Sequence, residues 1–204
     1  MRIGVLGGTF NPPHAGHLHA ATAAKEALKL DTVILVPANQ PPHKQIPLGS
    51  ATPEQRLKMT ELAAESIGAR VSTIEFEREG KSYTADTLRE LASIYKGAQL
   101  WLIMGTDMFL TVQNWYAPEQ IFAVAHIAVV AREETRREEI LSHKEKLEKD
   151  FDARVDIVDT HAIEVSSTRI RSTCAGKWDF VPESVEKFII ENKLYQNSGC
   201  EDEA

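Results

Sequence analysis

The 204-residue chain contains only two cysteines, Cys174 and Cys200. They make neither a disulfide framework nor a metal-knuckle spacing, and a reducing, cytoplasmic setting suits them. Positive charge is not in excess: the formal net charge is −7, which argues against a broad basic surface for nucleic acid. No apolar run approaches the roughly 18 residues that a membrane span needs. The opening MRIGVL has one arginine and is soon broken by glycine, so no signal peptide is expected. Internal repeats are absent. So are the dinucleotide fingerprint G-x-G-x-x-G and the P-loop. Gly80-Lys81-Ser82 imitates the end of a P-loop, but Glu75 stands where its first glycine belongs.

What is present begins with Gly7 to His17, GGTFNPPHAGH, between the apolar run Arg2–Leu6 and an alanine-rich helical stretch from Leu18 to Leu28. That order is strand, glycine turn, helix. Gly7 and Gly8 remove side chains where phosphates would approach the backbone, and Asn11-Pro12-Pro13 stiffens the turn. A helix beginning near Gly16 turns its unpaired N–H groups and positive dipole end toward the turn, which suits an anion. His14 and His17 add donors that can follow charge on a phosphate. The stretch therefore reads as a nucleotide-phosphate site.

Further along, Thr32–Val36 is a continuous apolar run, as in a parallel strand buried on both faces. A proline-rich loop with His43-Lys44 follows it. Thr52-Pro53-Glu54-Gln55 has the form of a capping box with proline at the first helical position. Val71 to Glu77 alternates and predicts a strand. Ser82-Tyr83-Thr84 precedes a helix with Leu88, Leu91 and Tyr95 inward. Gln99–Met104 is a buried strand that stops at Gly105-Thr106-Asp107, and a short helix then ends near Asn114-Trp115. Pro118 starts another. His126–Ala131 is a strand ending at Arg132. Glu133–Asp150 is a charged helix, Arg154–Val158 a strand, and Pro182 opens a last helix with Val185, Phe188 and Ile189 inward.

This alternation predicts a doubly wound, mainly parallel α/β sheet in a single domain over 1–195, followed by a small acidic tail, 196–204, expected to be mobile. Ligands of such sheets bind beyond the carboxyl ends of the strands. The polar sets all follow strands: the glycine turn, His43-Lys44, Gly105-Thr106-Asp107, Arg132, and Ser166-Ser167-Thr168 with Arg169 and Arg171. They should therefore gather on one edge.

Each set has a plainer reading. A strand-to-helix turn often needs glycine for geometry alone. His14, His17 and His19 could ligate a metal, but no carboxylate or cysteine stands at ligand spacing, and His19 lies on a different helix face. One of the three hydroxyls serves as an N-cap, although three hydroxyls and two arginines in six residues exceed what capping needs and suit a triphosphate. Lys44 could be a surface lysine, Trp115 a core residue and Asp107 an N-cap. His126 and His161 read as packed or solvated, and His143 as solvated on the charged helix.

GGTFNPPHAGH resembles the first signature of nucleotidyltransferases with a (His/Thr)-x-Gly-His motif, and VSSTRIR resembles their second. The chain as a whole is similar to the bacterial nicotinate-nucleotide adenylyltransferases. The resemblance runs in order through PANQPPHK, SYTADTL, IMGTDMFLTVQNW, VVAR and VPESVEKFIIENKLY, from residue 2 to about 195. It departs at Asn11, where many members have aspartate, and at Val165, where isoleucine is usual.

The resemblance implies a Rossmann-like nucleotidyltransferase fold with a small C-terminal helical part. It also implies transfer of adenylate from ATP to nicotinate mononucleotide, with Mg2+, giving nicotinate adenine dinucleotide and pyrophosphate. His14 and His17 would contact the ATP phosphates, with Gly7, Gly8, Thr9 and Phe10 forming the turn that receives them. Ser166, Thr168 and Arg171 would hold the β- and γ-phosphates, and Gly105 and Asp107 would face nucleotide sugars. Tyr83, Thr84 and Trp115 would form the nicotinate pocket, with Lys44 and Arg132 near phosphate charge. No dedicated protein ligand set for a metal is implied. Three rivals remain: the same chemistry on nicotinamide mononucleotide, a related transferase using another phosphate or CTP, and a non-catalytic nucleotide sensor.

Overall fold

A computed structural model describes every residue except 43–45, 48, 132–135, 162, 164, 173–177 and 196–204. Lys44, Arg132, both cysteines and the acidic tail therefore lie outside the described residues. The strands are β1 (Arg2–Gly8), β2 (Thr32–Pro37), β3 (Arg70–Val71), β4 (Gln99–Gly105), β5 (Ala125–Ala131) and β6 (Val155–Asp159). The helices are α1 (Ala15–Ala27), α2 (Pro53–Ser66), α3 (Thr84–Ile94), α4 (Thr106–Phe109), α5 (Pro118–Val124), α6 (Arg137–Phe151), α7 (Ser167–Ser172) and α8 (Glu183–Glu191). A 3-10 turn, Val112–Asn114, separates α4 from α5.

The six strands form one sheet in the order β3-β2-β1-β4-β5-β6, and every pair is parallel. The chain winds outward from β1 to β3, then crosses back to β4 and winds the other way. The direction reverses between β1 and β4, so the crevice for a ligand opens past Gly8 and Gly105. Strand periodicity sorts the core into two layers. Ile3, Val5, Leu102 and Met104 face the α3, α5 and α6 side. Leu6, Leu35, Trp101 and Ile103 face α1, whose alanines Ala20, Ala21 and Ala24 permit close approach to the sheet. A third cluster joins Met59 and Ala63 of α2 to Val165, Ile170 and the α8 residues Val185 and Ile189.

Local signals account for most element ends. The Thr52 hydroxyl accepts from the Gln55 N–H, and the Gln55 side chain accepts from the Thr52 N–H, completing the predicted box with Pro53 in the first turn. Helix α1 begins at Ala15, next to the start expected near Gly16, with His14 as its N-cap. Two expectations are corrected. The strand expected over Val71 to Glu77 shrinks to Arg70–Val71, a sheet edge with one neighbour. Beyond it the chain turns, because Ile74 packs into the core and the carboxylate of Glu75 finds the Thr87 hydroxyl at 2.6 Å. His143 is not simply solvated: its ring meets Phe109 edge-on at 5.0 Å, and burial lowers its pKa.

At the amino ends of the strands, far from the glycine turn, His126 stacks on Trp101 with centroids 4.5 Å apart. The Trp101 indole donates to Asp156 at 2.8 Å, and Asp156 lies 3.6 Å from Nδ1 of His126. Burial, then the nearby Arg154, hold this imidazole below its ordinary range against the pull of Asp156. A depressed histidine makes the unfolded chain the stronger proton binder. Its contribution is complete above about pH 6.5 and is lost as pH falls through the folded value. The melting temperature is expected to drop between about pH 7 and pH 5, and to drop less in His126→Gln. Equal slopes in the two proteins would remove His126 as a cause.

Candidate active site

The turn after β1 is held by side chains from distant segments. Phe10, in the left-handed region at φ 47°, is buried and presents its ring edge-on to His17 at 5.0 Å. Arg171 donates to the Asn11 carbonyl at 2.7 Å and the Ser167 hydroxyl to the Pro12 carbonyl at 2.9 Å. The Tyr195 hydroxyl donates to Oδ1 of Asn11 at 2.7 Å. With Asn11 buried, the amide found in place of aspartate meets a neutral donor and adds no buried charge. The turn is thus bolted to α7, and the two signature stretches meet as expected.

His14 and His17 lie ring against ring, with centroids 3.7 Å apart. The His14 N–H donates to Nδ1 of His17 at 3.2 Å. An accepting Nδ1 assigns the proton of a neutral His17 to Nε2, so His17 can donate to a phosphate oxygen without first gaining a charge. His19, by contrast, pairs Nε2 with the Thr160 hydroxyl at 2.6 Å. Among the described residues no group of three or more His, Cys, Asp or Glu is placed to hold a metal.

A cavity of about 470 Å³ runs from this turn across the carboxyl end of the sheet. Gly7, Gly8, Thr9, Gly16 and His17 line it together with Ser82, Tyr83, Thr84, Trp115 and Tyr116, and Gly105 and Asp107 also belong to its wall. A Cβ at Gly7 would meet nothing within 4 Å, so that backbone is open to close approach by a ligand. Tyr83 is the N-cap of α3 and Thr84 its first residue, which brings unpaired N–H groups to the cavity. Ser166, Thr168 and Arg171 do not line this cavity. They flank the turn beyond His17, where Ser166 caps the Arg169 N–H at 3.2 Å and Arg171 reaches the Thr168 hydroxyl at 3.4 Å.

Four site residues escape the sequence reading. Arg136 lines the cavity and pairs with Asp107 at 2.6 Å and Glu139 at 2.9 Å; the hydrogen bonds to Glu139 and Asp107 push its pKa up. Its place in a crowded basic and acidic run hides it. Tyr116 lies against Tyr83 with ring centroids 4.4 Å apart, and nothing in its sequence neighbourhood marks it. Glu75, buried in the cavity wall, belongs to a chain in which Arg78 donates to Thr87 at 2.6 Å and Thr87 donates to Glu75. Burial raises the Glu75 carboxyl, against hydrogen bonds from Thr87 and Ser82. Arg56 did leave a signal: it shares the buried stripe of α2 with Met59, Thr60 and Ala63, where an arginine is out of place.

Comparison with known proteins agrees with this geometry. Residues 5–173 match the cytidylyltransferase-like family model. A protein of Exiguobacterium sibiricum, named probable nicotinate-nucleotide adenylyltransferase, is 40% identical over 199 residues, covering 96% of this chain and 99% of its own length. The chain belongs to the nicotinate-nucleotide adenylyltransferase family. A second member, from Dictyoglomus thermophilum, is 39% identical over 96% of this chain and 100% of its own. The fold likeness extends to the nicotinic acid mononucleotide adenylyltransferase of Plasmodium falciparum complexed with NaAD. That structure superposes with a TM-score of 0.74 at 15% identity, over 95% of this chain and 97% of that one. Family membership gives the motifs found here a common purpose: the first signature, the start of α3 and Gly105 with Asp107 line one cavity, and the second signature braces the turn through Ser167 and Arg171.

Proposed function

We infer that this chain transfers the adenylyl group of ATP to nicotinate mononucleotide, forming nicotinate adenine dinucleotide and releasing pyrophosphate. The observation that carries this reading is one cavity lined both by the phosphate turn and by the start of α3 with Trp115, in a chain related to the family over nearly its whole length. The mononucleotide phosphate is already an anion at neutral pH, so it needs no general base. One of its oxygens attacks the α-phosphorus in line, the bond to the bridging oxygen breaks, and pyrophosphate leaves with that electron pair. The barrier lies in alignment and in the repulsion of two anions.

His17, donating from Nε2, would follow charge onto the phosphates, and His14 holds the His17 ring in place. Thr168 and Arg171 would meet the outer phosphates beyond His17. The N–H groups at the start of α3 would take the nicotinate carboxylate, with Trp115 against the ring, while Gly105 and Asp107 would face sugar hydroxyls. Lys44 and Arg132 would add positive charge near the phosphates. The donors at the turn are N–H groups and cations, which suit a metal-bound polyphosphate better than a bare ion. Magnesium would therefore enter on the oxygens of ATP and neutralise part of their charge. Among the described residues no helix is long and apolar enough to cross a membrane, and ATP as substrate suits a cytoplasmic enzyme.

The test is pyrophosphate release with ATP, magnesium and either mononucleotide. A kcat/KM at least about tenfold higher for nicotinate than for nicotinamide mononucleotide is expected, since α3 N–H groups reward a carboxylate. Equal or reversed preference would assign the chain to the amide substrate. No product with any mononucleotide would leave a nucleotide-binding sensor.

A further inference from the structure

Arg56 is fully buried, and a cation there is costly. Enclosure strips its water, and its place in the first turn of α2 sets it against the positive end of the helix dipole. Burial correspondingly lowers its pKa. Three main-chain carbonyls receive it. Nη1 donates to Thr9 at 2.9 Å and to Ala38 at 2.6 Å, and Nη2 donates to Asn39 at 3.0 Å. Thr9 belongs to the phosphate turn. Ala38 and Asn39 begin the loop leaving β2, and Thr9 and Ala38 both line the cavity. The backbone itself contributes one link nearby, from the Ala38 N–H to the Gly8 carbonyl at 2.9 Å.

We propose that Arg56 is a positioning residue for adenylyl transfer, its guanidinium fixing the distance between the phosphate turn at Thr9 and the β2 loop at Ala38 and Asn39. This rests on the reaction inferred above. A guanidinium suits the task because its planar fork sets donor directions that a flexible ammonium does not. The helix supplying it is rigid: its capping box is complete, and the Thr60 hydroxyl donates to the Arg56 carbonyl at 2.7 Å. The turn has separate anchors to α7 through Arg171 and Ser167. Loss of the Arg56 bonds should therefore free the β2 loop relative to the turn and leave the fold standing.

The experiment compares wild type, Arg56→Lys and Arg56→Gln, each with and without His17→Ala, at saturating ATP and nicotinate mononucleotide and well below the melting temperature. Each Arg56 variant is expected to keep wild-type far-UV circular dichroism and to lose about tenfold or more in kcat, as misalignment predicts. His17→Ala should then cost at least about threefold less in the variants than in wild type, because a misplaced His17 has less to lose. An Arg56 variant with wild-type kcat overturns the proposal. So does a full His17→Ala cost in the variant background, which would separate Arg56 from the placement of His17. Should Arg56→Lys fail to fold, Arg56→Gln carries the same comparison, and failure of both to fold overturns the separation from stability claimed here. A wild type that forms no dinucleotide refutes the reaction itself, an outcome distinct from these.

Discussion

His17→Ala is expected to lower kcat by roughly two to three powers of ten with little change in melting temperature. The imidazole lies in the cavity wall at the start of α1, with Nδ1 occupied by the His14 N–H and the proton accordingly on Nε2. A donor aimed at charge that grows during phosphoryl transfer stabilises the transition state more than the bound substrates. Its loss should fall on kcat and leave both KM values within a few-fold. Folding should tolerate the change: the ring is only half-buried, and the cap contact it gives up with the His14 N–H is worth about 1 kcal/mol. Steady-state kinetics beside a thermal melt measures both quantities. Wild-type turnover would refute the assignment of His17.

Gly16→Ala should show the second large effect, and its sign is the informative part. On propensity alone, alanine inside a helix is favoured over glycine by about 1 kcal/mol, which predicts a more stable protein. The tertiary contacts oppose it. A Cβ at Gly16 would lie 3.1 Å from Nδ1 and 3.2 Å from Cε1 of His14, and 3.1 Å from Cγ1 of Val165. His14 is buried, and Val165 belongs to the cluster that seats α7 and α8, so neither can retreat cheaply. The added methyl is expected to lower the melting temperature by several degrees. It should also lower kcat by about ten- to a hundredfold, because it displaces His14, on which the His17 ring rests, and the entry to α7. A higher melting temperature with unchanged turnover would show that the helix start yields after all.

Much of the architecture is legible in the chain because the signals are local. Continuous apolar runs mark the buried strands, Thr52 and Gln55 write a capping box within four residues, and glycine followed by a histidine pair marks the turn. Even the shared edge follows from alternation, since parallel strands put every following loop at the same end. What escapes depends on partners that local pattern does not name. The alternating run after Val71 reads as a strand, yet it leaves the sheet because Thr87, twelve residues on, offers Glu75 a hydroxyl. Arg136 is told apart from its basic neighbours only by where Asp107 lies.

The turn after β1 shows the division most plainly. Its residue types are readable, and they point to phosphate chemistry. Its shape depends on Arg56, 47 positions away from Thr9, and on Arg171 and Tyr195, 160 and 184 positions away from Asn11. Periodicity and capping arise from backbone geometry within a few residues, so they survive in the linear chain. Burial of a cation against three carbonyls arises only when separate segments close around it, and folding alone supplies that closure.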